Sequence, residues 1–374
     1  MKTYQLILAT ALVALSACTK EEVVNNDVNL DSNEIGFVAV TQKATKANNA
    51  IITGTTYGTD NTFKVWGWQS QNGLFSDVTA DSDSNFMIGT EISWTKGATP
   101  ATHSEAWRNE AHYYYWPFTG TIGFLAIHPS TVTPTTAKWD ATNTKAKATI
   151  DAYTISDSNK TMDLMFAYAA GSRNSGLDVN GKLALVFKHA LSQIQFRIRT
   201  NEDYSNDLTF TVNSVTINNI SLVGNLAYGW GEITPAVDPD PAVMGFKFNW
   251  TGNTTQTSPW AYYATAQNAV YPTDGLDANA ALYGNANVMI PQAANSDNPA
   301  TTDVLEGTTL TINYTMTQTG SAAITGEVTV GAAQAWEPGK KYIYTLNFKL
   351  NEILFAPEVT DWVDVAVSTI NIFD

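Results

Sequence analysis

Between residues 183 and 199 the apolar positions change from one face of a strand to the other. Apolar side chains occupy the odd positions up to Phe187, whereas from Ile194 onward they occupy the even positions. Alternate residues of a β-strand point to opposite faces, and a slip of one residue would turn every apolar side chain away from the core. The change at residues 190–192 therefore predicts a β-bulge or a passage between two sheets, and we interpret it as the junction of two β domains.

Short alternating segments recur along the whole chain, with turn residues between them. The clearest alternation covers residues 310–316, and a second long one covers residues 342–350. No segment shows the sustained 3.6-residue period of an amphipathic helix. Charged residues make up only 15% of the chain and aromatic residues 11%, which favours strands and turns over salt-bridged helices. We predict an all-β chain of antiparallel sandwiches, with long polar loops at about residues 130–149 and 264–286.

The amino terminus predicts export and a lipid anchor. Lys2 precedes an apolar run over residues 6–15, which is too short to span a bilayer but suits a signal peptide. The run ends in Leu15-Ser16-Ala17-Cys18, which resembles the lipobox of bacterial lipoproteins, in which lipid is attached to the cysteine. Thr19-Lys20-Glu21-Glu22 is similar to the acidic surface-export tags of some Gram-negative bacteria. The alternative is a chance cleavage site followed by a free cysteine.

A chain of 374 residues is long enough for two domains that each bury a core. The residues after Cys18 are polar and acidic up to Glu34, which predicts a flexible tether. The predicted division is a lipoprotein signal peptide at 1–17, an acidic tether at 18–34, a first sandwich at 35–182 and a second sandwich at 183–374.

Composition argues against several classes of function. The 20 Lys and Arg residues against 35 Asp and Glu residues give a formal charge of −15, which repels nucleic acid and anionic lipid headgroups. Cys18 is the single cysteine, so no intramolecular disulfide and no cysteine-rich metal site can form. No nucleophile elbow, phosphate-binding loop or dinucleotide-binding motif occurs. The sequence therefore predicts no cofactor and no catalytic residue.

The histidines and acidic runs do not indicate a metal site. The histidines lack metal-ligand spacing, and for His189 we expect a buried imidazole bonded to a nearby hydroxyl, with Ser192 the closest along the chain. The run that starts at Asp81 begins like a calcium loop, but Phe86 stands where that loop needs glycine and Ile92 where it needs glutamate. A solvated turn is the favoured interpretation. The four histidines are His103, His112, His128 and His189.

Aromatic residues suggest one alternative function. The chain has eleven tryptophans, and aromatic side chains on β-sandwiches can stack against sugar rings. Trp116 is next to Pro117, and Trp336 lies just before Pro338. At such positions a large ring commonly closes the edge of the core of a β-sandwich. For any one tryptophan we favour a place in the core over a ligand platform.

The first predicted strand is apolar on both faces. Ile35, Phe37 and Ala39 alternate with small or β-branched residues, so the strand is expected to lie between other elements. A basic segment of small residues without a pattern follows at 43–49, as in exposed, protease-accessible loops.

Several short motifs, in their order along nearly the whole chain, resemble the fimbrillin family of lipoprotein-derived pilins. They are the lipobox, the opening strand with Thr45-Lys46-Ala47, Tyr114-Tyr115-Trp116-Pro117, Asp163-Leu164-Met165-Phe166-Ala167, Phe187-Lys188-His189-Ala190-Leu191-Ser192, Ile290-Pro291-Gln292, Trp336-Glu337-Pro338-Gly339-Lys340-Lys341-Tyr342-Ile343-Tyr344 and Val359-Thr360-Asp361-Trp362.

The resemblance implies two tandem transthyretin-like β-sandwich domains and no enzymatic activity. It also implies that the partners are other pilin subunits and that the protein is located on the cell outer membrane and in a fimbrium. It also implies that a protease cuts after a basic residue, usually arginine, just past the first strand. The matching residue here is Lys46, with Lys43 nearby. A neighbour's carboxy-terminal strand would then fill the groove. Here Val363, Val365 and Val367 would form one face of that strand, and Ile370 and Ile372 the other.

The motifs do not separate a stalk subunit from a tip or an anchor subunit. Two further classes remain as alternatives: a surface lipoprotein that binds glycans, and a secreted glycoside hydrolase whose two carboxylates would come from distant strands. In an adhesion role, the ligands would be host molecules or glycans.

Overall fold

The computed structural model describes residues 33–41, 57–95, 105–178, 181–204, 207–234, 243–255, 259–272, 281–291, 308–332, 335–349 and 353–361. These residues form twenty β-strands in several sheets, which confirms the all-β class. Across those ranges, no helix is long and apolar enough to cross a membrane.

The strands, in chain order, are β1 (Phe37–Thr41), β2 (Phe63–Ser70), β3 (Ile88–Thr95), β4 (Ala106–Arg108), β5 (Thr121–His128), β6 (Thr136–Asp140), β7 (Lys145–Thr154), β8 (Met165–Gly171), β9 (Leu183–His189), β10 (Ser192–Thr200), β11 (Leu208–Asn218), β12 (Ser221–Thr234), β13 (Val243–Thr255), β14 (Trp260–Tyr263), β15 (Gln267–Asn268), β16 (Ala281–Met289), β17 (Thr309–Gln318), β18 (Ile324–Gly331), β19 (Lys340–Phe348) and β20 (Ile353–Asp361).

Seven strands form a closed sheet in the order β1-β4-β3-β2-β5-β8-β9. The ring closes through β1, which pairs antiparallel with β4 and parallel with β9. Three open sheets follow, in the orders β13-β12-β7-β6, β16-β10-β19-β20 and β14-β11-β17-β18, with β15 also paired to β11. The first of these joins the two halves of the chain, because β7 pairs with β12.

The predicted passage between sheets is confirmed at residues 190–191. Strand β9 ends at His189 in the closed sheet, and β10 begins at Ser192 in another sheet. Phe187 belongs to the core inside the closed sheet, whereas Ile194 belongs to a second core. The structure thus places β9, where the second predicted domain starts, beside β1 and β8 of the first. The division into domains at residue 183 stays a prediction.

Two hydrophobic cores hold the sheets together. The core inside the closed sheet contains Phe37, Phe63, Phe124 and Phe187 among its fully buried residues. The second core extends from Trp66 in β2 to Phe348 in β19, and therefore includes residues of both halves. Strands β2 and β5 are buried on both faces, so their side chains point alternately into one core and the other.

Three expectations about the fold were wrong. Strand β6 and the first half of β7 lie within the predicted polar loop at 130–149, and β15 and much of β16 lie within that at 264–286. In β7 the buried face is largely alanine, as at Ala146 and Ala148, so the apolar alternation is too weak to recognise in the sequence. The pairing is not purely antiparallel either, because the pairs β1–β9 and β10–β19 are parallel.

Candidate assembly site at the first strand

Strand β1 lies between two neighbours and joins them. Its five residues, from Phe37 to Thr41, pair with β9, and Phe37 also pairs with Trp107 of β4. The preceding residues are held as well, since the amide of Ile35 donates to the carbonyl of Tyr114 at 2.8 Å. Removing β1 would therefore break both pairings and open a groove between β4 and β9.

The inward side chains of β1 are core residues. Phe37 has no exposed surface and Ile35 is 2% exposed. The Phe37 ring packs edge-on against Phe124, with centroids 5.3 Å apart, and against Phe63 at 6.3 Å. Ala39 is also buried. An apolar strand with this alternation is needed to fill the groove between β4 and β9.

Gly36 marks a close approach between chain segments at the start of β1. A Cβ atom at Gly36 would lie 3.0 Å from the Cβ of Ala106 and 3.7 Å from the Cγ of Lys182. The contact with Ala106 is tighter than side chains normally make, so this position accepts only a very small residue.

A buried ion pair lies beside Gly36. The Nη1 atom of Arg108 is 3.1 Å from Oε1 and 3.3 Å from Oε2 of Glu34. The Arg108 side chain is 4% exposed and that of Glu34 is 8% exposed. Glu34 precedes β1, whereas Arg108 is the last residue of β4. The start of the first strand is therefore held by charge as well as by apolar contacts.

A buried polar cluster lies at the other end of β1. Thr41 pairs with Phe187, whose ring stacks on Tyr57 at 5.0 Å. The Tyr57 hydroxyl is 2.6 Å from Nδ1 of His128. Burial lowers the pKa of His128 to about 4, and burial followed by the negative charge of Asp163 raises the pKa of Tyr57 well above its usual value.

The partner expected for His189 was wrong. His189 is buried as predicted, but its Nδ1 atom lies 2.6 Å from Oδ2 of Asp163, whose side chain has no exposed surface. The Ser192 hydroxyl instead donates to the carbonyl of Glu337 at 2.8 Å. A carboxylate compensates a buried imidazole better than a hydroxyl does, because it accepts a hydrogen bond from the N–H of the neutral ring and also stabilises the protonated ring.

The other candidate sites have structural roles or lie outside the described residues. Asp81 and Asp83 of the run that resembles a calcium loop form ion pairs with Lys147 and Lys138 at 2.7 and 2.8 Å. In the part of the chain that the structure describes, no group of His, Cys, Asp and Glu is placed to hold a metal. The predicted lipidation, cleavage and donor residues all lie outside the described residues: Cys18, Lys43, Lys46, Val363, Val365, Val367, Ile370 and Ile372.

Ten of the eleven tryptophans lie in the described ranges, and there none is exposed. Trp116 is 5% and Trp336 is 1% exposed, which confirms the core positions predicted for them. The Trp336 indole donates to the hydroxyl of Tyr344 at 2.8 Å. Trp94, Trp230 and Trp250 are half-buried.

The family of the chain is decided by a match over most of its length. A family model described as fimbrillin-like matches residues 22–362. This chain belongs to the fimbrillin-like family. A crystal structure of a fimbrial protein from Bacteroides vulgatus has a TM-score of 0.56 at 16% identity, and the match covers 88% of this chain and 99% of that one. The two proteins thus share a fold.

Other solved structures are less similar to this fimbrillin-like chain. A candidate cell adhesion protein from Bacteroides uniformis has a TM-score of 0.45 at 16% identity, with 88% of this chain and 96% of that chain covered. One from Bacteroides ovatus has a TM-score of 0.43 at 15% identity, with 89% and 99% covered. No curated protein sequence matches this chain.

Sequence reasoning missed the ion pair of Glu34 with Arg108 and the cluster around Tyr57. It did isolate the two motifs that contain Asp163 and His189, and the structure brings these motifs together. No spacing in the sequence connects Glu34 to Arg108, because that contact depends on how β1 enters the closed sheet.

Proposed function

We propose that this fimbrillin-like chain is a structural subunit of a cell-surface fimbrium that contributes to adhesion and assembles by donor-strand exchange from a lipidated precursor. Membership of the family supports the fimbrial role. The observation that carries the assembly mechanism is the position of β1, an apolar strand held between β4 and β9 and followed by the basic segment with Lys43 and Lys46. Structural assembly rather than catalysis is the role.

The energetics favour replacement of β1 over an empty groove. Burial of Ile35 and Phe37 contributes roughly 1.5 to 3 kcal/mol each, and each backbone hydrogen bond about 1 kcal/mol. Five residue pairs join β1 to β9. Loss of the strand therefore costs an amount comparable to the whole stability of a domain, about 5 to 15 kcal/mol. A subunit cut after Lys43 or Lys46 needs another strand in the same place.

The donor is the segment after β20 of a second copy. Strand β20 is the edge strand of its sheet and ends at Asp361. Among the apolar residues that follow, Val363, Val365 and Val367 supply the alternation that the groove requires, and Ile370 and Ile372 lie on the other face. The identity of the protease and the choice among a stalk, a tip and an anchor subunit are also part of this proposal. A stalk subunit would both donate and accept a strand.

Attachment to the outer membrane is through lipid on Cys18. Two buried acyl chains provide stable anchoring, at about 0.8 kcal/mol per CH₂ group. The acidic residues up to Glu34 then connect the lipid to the start of β1. Cleavage after Lys43 or Lys46 would break the covalent link between the subunit and its anchor, and the same cut would allow β1 to leave the groove.

Limited cleavage tests this function. A lysine-specific endoproteinase should convert monomeric precursor into oligomers that size-exclusion chromatography with light scattering resolves. The Lys43→Ala/Lys46→Ala variant should stay monomeric under the same treatment, because the bond after β1 is no longer cut. Cut protein that remains monomeric at every concentration would contradict donor-strand assembly.

A second candidate, a glycan-binding surface lipoprotein, is favoured by one cavity. An open cavity of about 480 Å³ is lined by Asp203, Tyr204, Asn268, Tyr271 and neighbouring threonines, a mixture of rings and polar groups suited to sugars. Tyr271 is 41% exposed. Binding of uncut protein to a glycan array, lost in Tyr271→Ala, would support this candidate.

A further inference from the structure

We propose that the end of the closed sheet at which β1 begins docks on a lipid bilayer through an apolar patch formed by Leu74, Tyr115 and Phe118. The inference rests on the lipid anchor at Cys18 proposed above, and it is independent of donor-strand exchange. It gives the precursor an orientation, with the start of β1 facing the lipid headgroups.

Three loops meet at this end of the closed sheet. They connect β2 to β3, β4 to β5 and β8 to β9. Ser70, the last residue of β2, pairs with Thr121, the first residue of β5, and Ile122 pairs with Gly171 at the end of β8. The first two loops touch, because a Cβ atom at Gly73 would lie 3.5 Å from the Oγ1 atom of Thr121. Side chains from these loops therefore form one surface.

Of the residues that the structure describes, the two most exposed large apolar side chains lie in these loops. Phe118 is 85% exposed and Leu74 is 76% exposed, and Tyr115 in the same loop as Phe118 is also exposed. A cation accompanies them, since the Cζ atom of Arg173 in the third loop lies 5.8 Å from the centre of the Phe118 ring. Exposed apolar side chains on adjacent loops mark an interaction surface. An apolar ring beside a cation suits the boundary between acyl chains and headgroups.

The chain enters the closed sheet at the same end as the patch. The amide of Trp116 donates to the carbonyl of Asn33 at 2.7 Å, and Glu34 pairs with Tyr115. The first described residues thus lie against the loop that carries Phe118. Residues 19–32 separate them from Cys18, and a segment of that length spans at most about 50 Å. Lipid on Cys18 would hold the patch near the bilayer at a roughly millimolar effective concentration, at which a weak apolar contact is sufficient.

The charges at this end determine which headgroups the patch accepts. They include both signs, with more carboxylates than cations: Glu34, Asp77, Glu105, Glu110 and Asp178 against Arg108, Arg173 and Lys182. An anionic bilayer would repel such a surface. A zwitterionic headgroup presents a cationic group to the carboxylates and a phosphate to Arg173. We therefore expect docking on zwitterionic lipid.

Fluorescence quenching in the lipidated full chain tests the inference. Cys18 is the single cysteine and its thiol would carry the lipid, so Thr119→Cys adds one reactive thiol beside Phe118 and leaves the patch intact. The labelled chain is reconstituted in phosphatidylcholine vesicles whose lipids carry nitroxide quenchers at known depths. The label should lie about 5 to 10 Å into the boundary between headgroups and acyl chains. A label at Ile324→Cys, an exposed position of β18 in another sheet, should not be quenched by lipid.

Substitutions in the labelled Thr119→Cys chain identify the side chains responsible. Leu74→Ser/Phe118→Ser should reduce quenching by lipid at least about fivefold, because these two side chains supply the apolar area that leaves water. Both are exposed, so the variant should fold like the wild type. The matched control Ile324→Ser, which removes an exposed apolar side chain elsewhere, should leave quenching within about twofold of the unsubstituted chain. Vesicles that also contain anionic phosphatidylglycerol should quench the label less.

Mass spectrometry of the peptide that contains Cys18 separates the inference from the anchor on which it rests. Cys18 without lipid overturns both. Lipid on Cys18, together with a label at residue 119 that lipid nitroxides do not quench, leaves the anchor standing and overturns docking on the bilayer. Protection of that label from water-soluble quenchers that rises with the number of chains per vesicle, without quenching by lipid, shows a second copy on the patch and also overturns the inference.

Discussion

The ring of Phe37 packs edge-on against the ring of Phe124, with 5.3 Å between their centroids. Phe124 lies in the middle of β5, whereas Phe37 lies in the strand that the proposed cleavage removes. A core residue of the precursor thus belongs to a segment that the assembled subunit would lack. The precursor should depend on Phe37 for its stability, and the assembled form should not.

Phe37→Ala is therefore expected to lower the free energy of unfolding of the uncut precursor by about 3 to 5 kcal/mol, the usual cost of truncating a buried phenylalanine. Val38→Ala, at a half-buried neighbour, is the control and should cost much less. Urea unfolding of the precursors measures both. Oligomers made from cut Phe37→Ala protein should be as stable as those of the wild type, and a large loss there would argue that β1 is retained.

Phe187→Ala should also cost about 3 to 5 kcal/mol, before and after cleavage. Phe187 is fully buried, stacks on Tyr57 and contacts Phe63, with 5.2 Å between the ring centroids of the latter pair. The neighbouring Val186, which is 45% exposed, provides the control Val186→Ala. An unchanged melting temperature for Phe187→Ala would contradict the placement of β9 in the closed sheet.

Acid should destabilise the fold through His128. Burial lowers the pKa of His128 to about 4, below the value of 6.5 that it has when unfolded. The contribution of His128 to stability is therefore complete above pH 6.5 and is lost as the pH falls to 4. A shift of that size corresponds to about 3 kcal/mol.

Urea unfolding at pH 7.5 and pH 4 should show this extra loss in the wild type and in His112→Gln, whose histidine is exposed. His128→Gln should lack it, although titration of carboxylates lowers the stability of all three proteins. The titratable groups that face His128 are Tyr57, Asp163 and His189, and the carbonyl of Thr62 lies 3.0 Å from its Nδ1 atom. Equal acid sensitivity of His128→Gln and the wild type would contradict the assignment to His128.

Cys18→Ser should abolish incorporation of a fatty-acid analogue in cells, because the predicted lipid is carried on that thiol. Surface exposure can be followed in parallel by antibody labelling of intact cells. The Ser16→Ala variant, next to the cleavage site, is the control and should still be labelled. Label that remains on Cys18→Ser would contradict lipid attachment at Cys18.

The sequence revealed strands whose alternation is strong and missed those whose alternation is weak. The parity change between Phe187 and Ile194 correctly located the passage between two sheets, because the largest apolar residues on each side share one face. Strand β7 was missed because Ala146 and Ala148 form its buried face. The buried surface of an alanine is too small to stand out from the threonines and lysines around it.

The candidate site was likewise predicted from the sequence only in part. The apolar character of Ile35 and Phe37 predicted a strand enclosed by others, and the structure encloses it. The ion pair of Glu34 with Arg108 joins residues 74 positions apart, and the contact of Asp163 with His189 joins residues 26 apart. Such contacts depend on strand order in the sheet, which local patterns do not specify.

The most direct test of donor-strand assembly uses the proposed donor as a peptide. A variant ending at Trp362 should melt like the full chain when uncut, and can then be cut after Lys43 or Lys46 and separated from the released segment. A fluorescent peptide of residues 363–374 should bind this cut protein at least about a hundredfold more tightly than the uncut protein, whose groove is filled by β1. Equal binding to both forms, or binding to neither, would contradict the account.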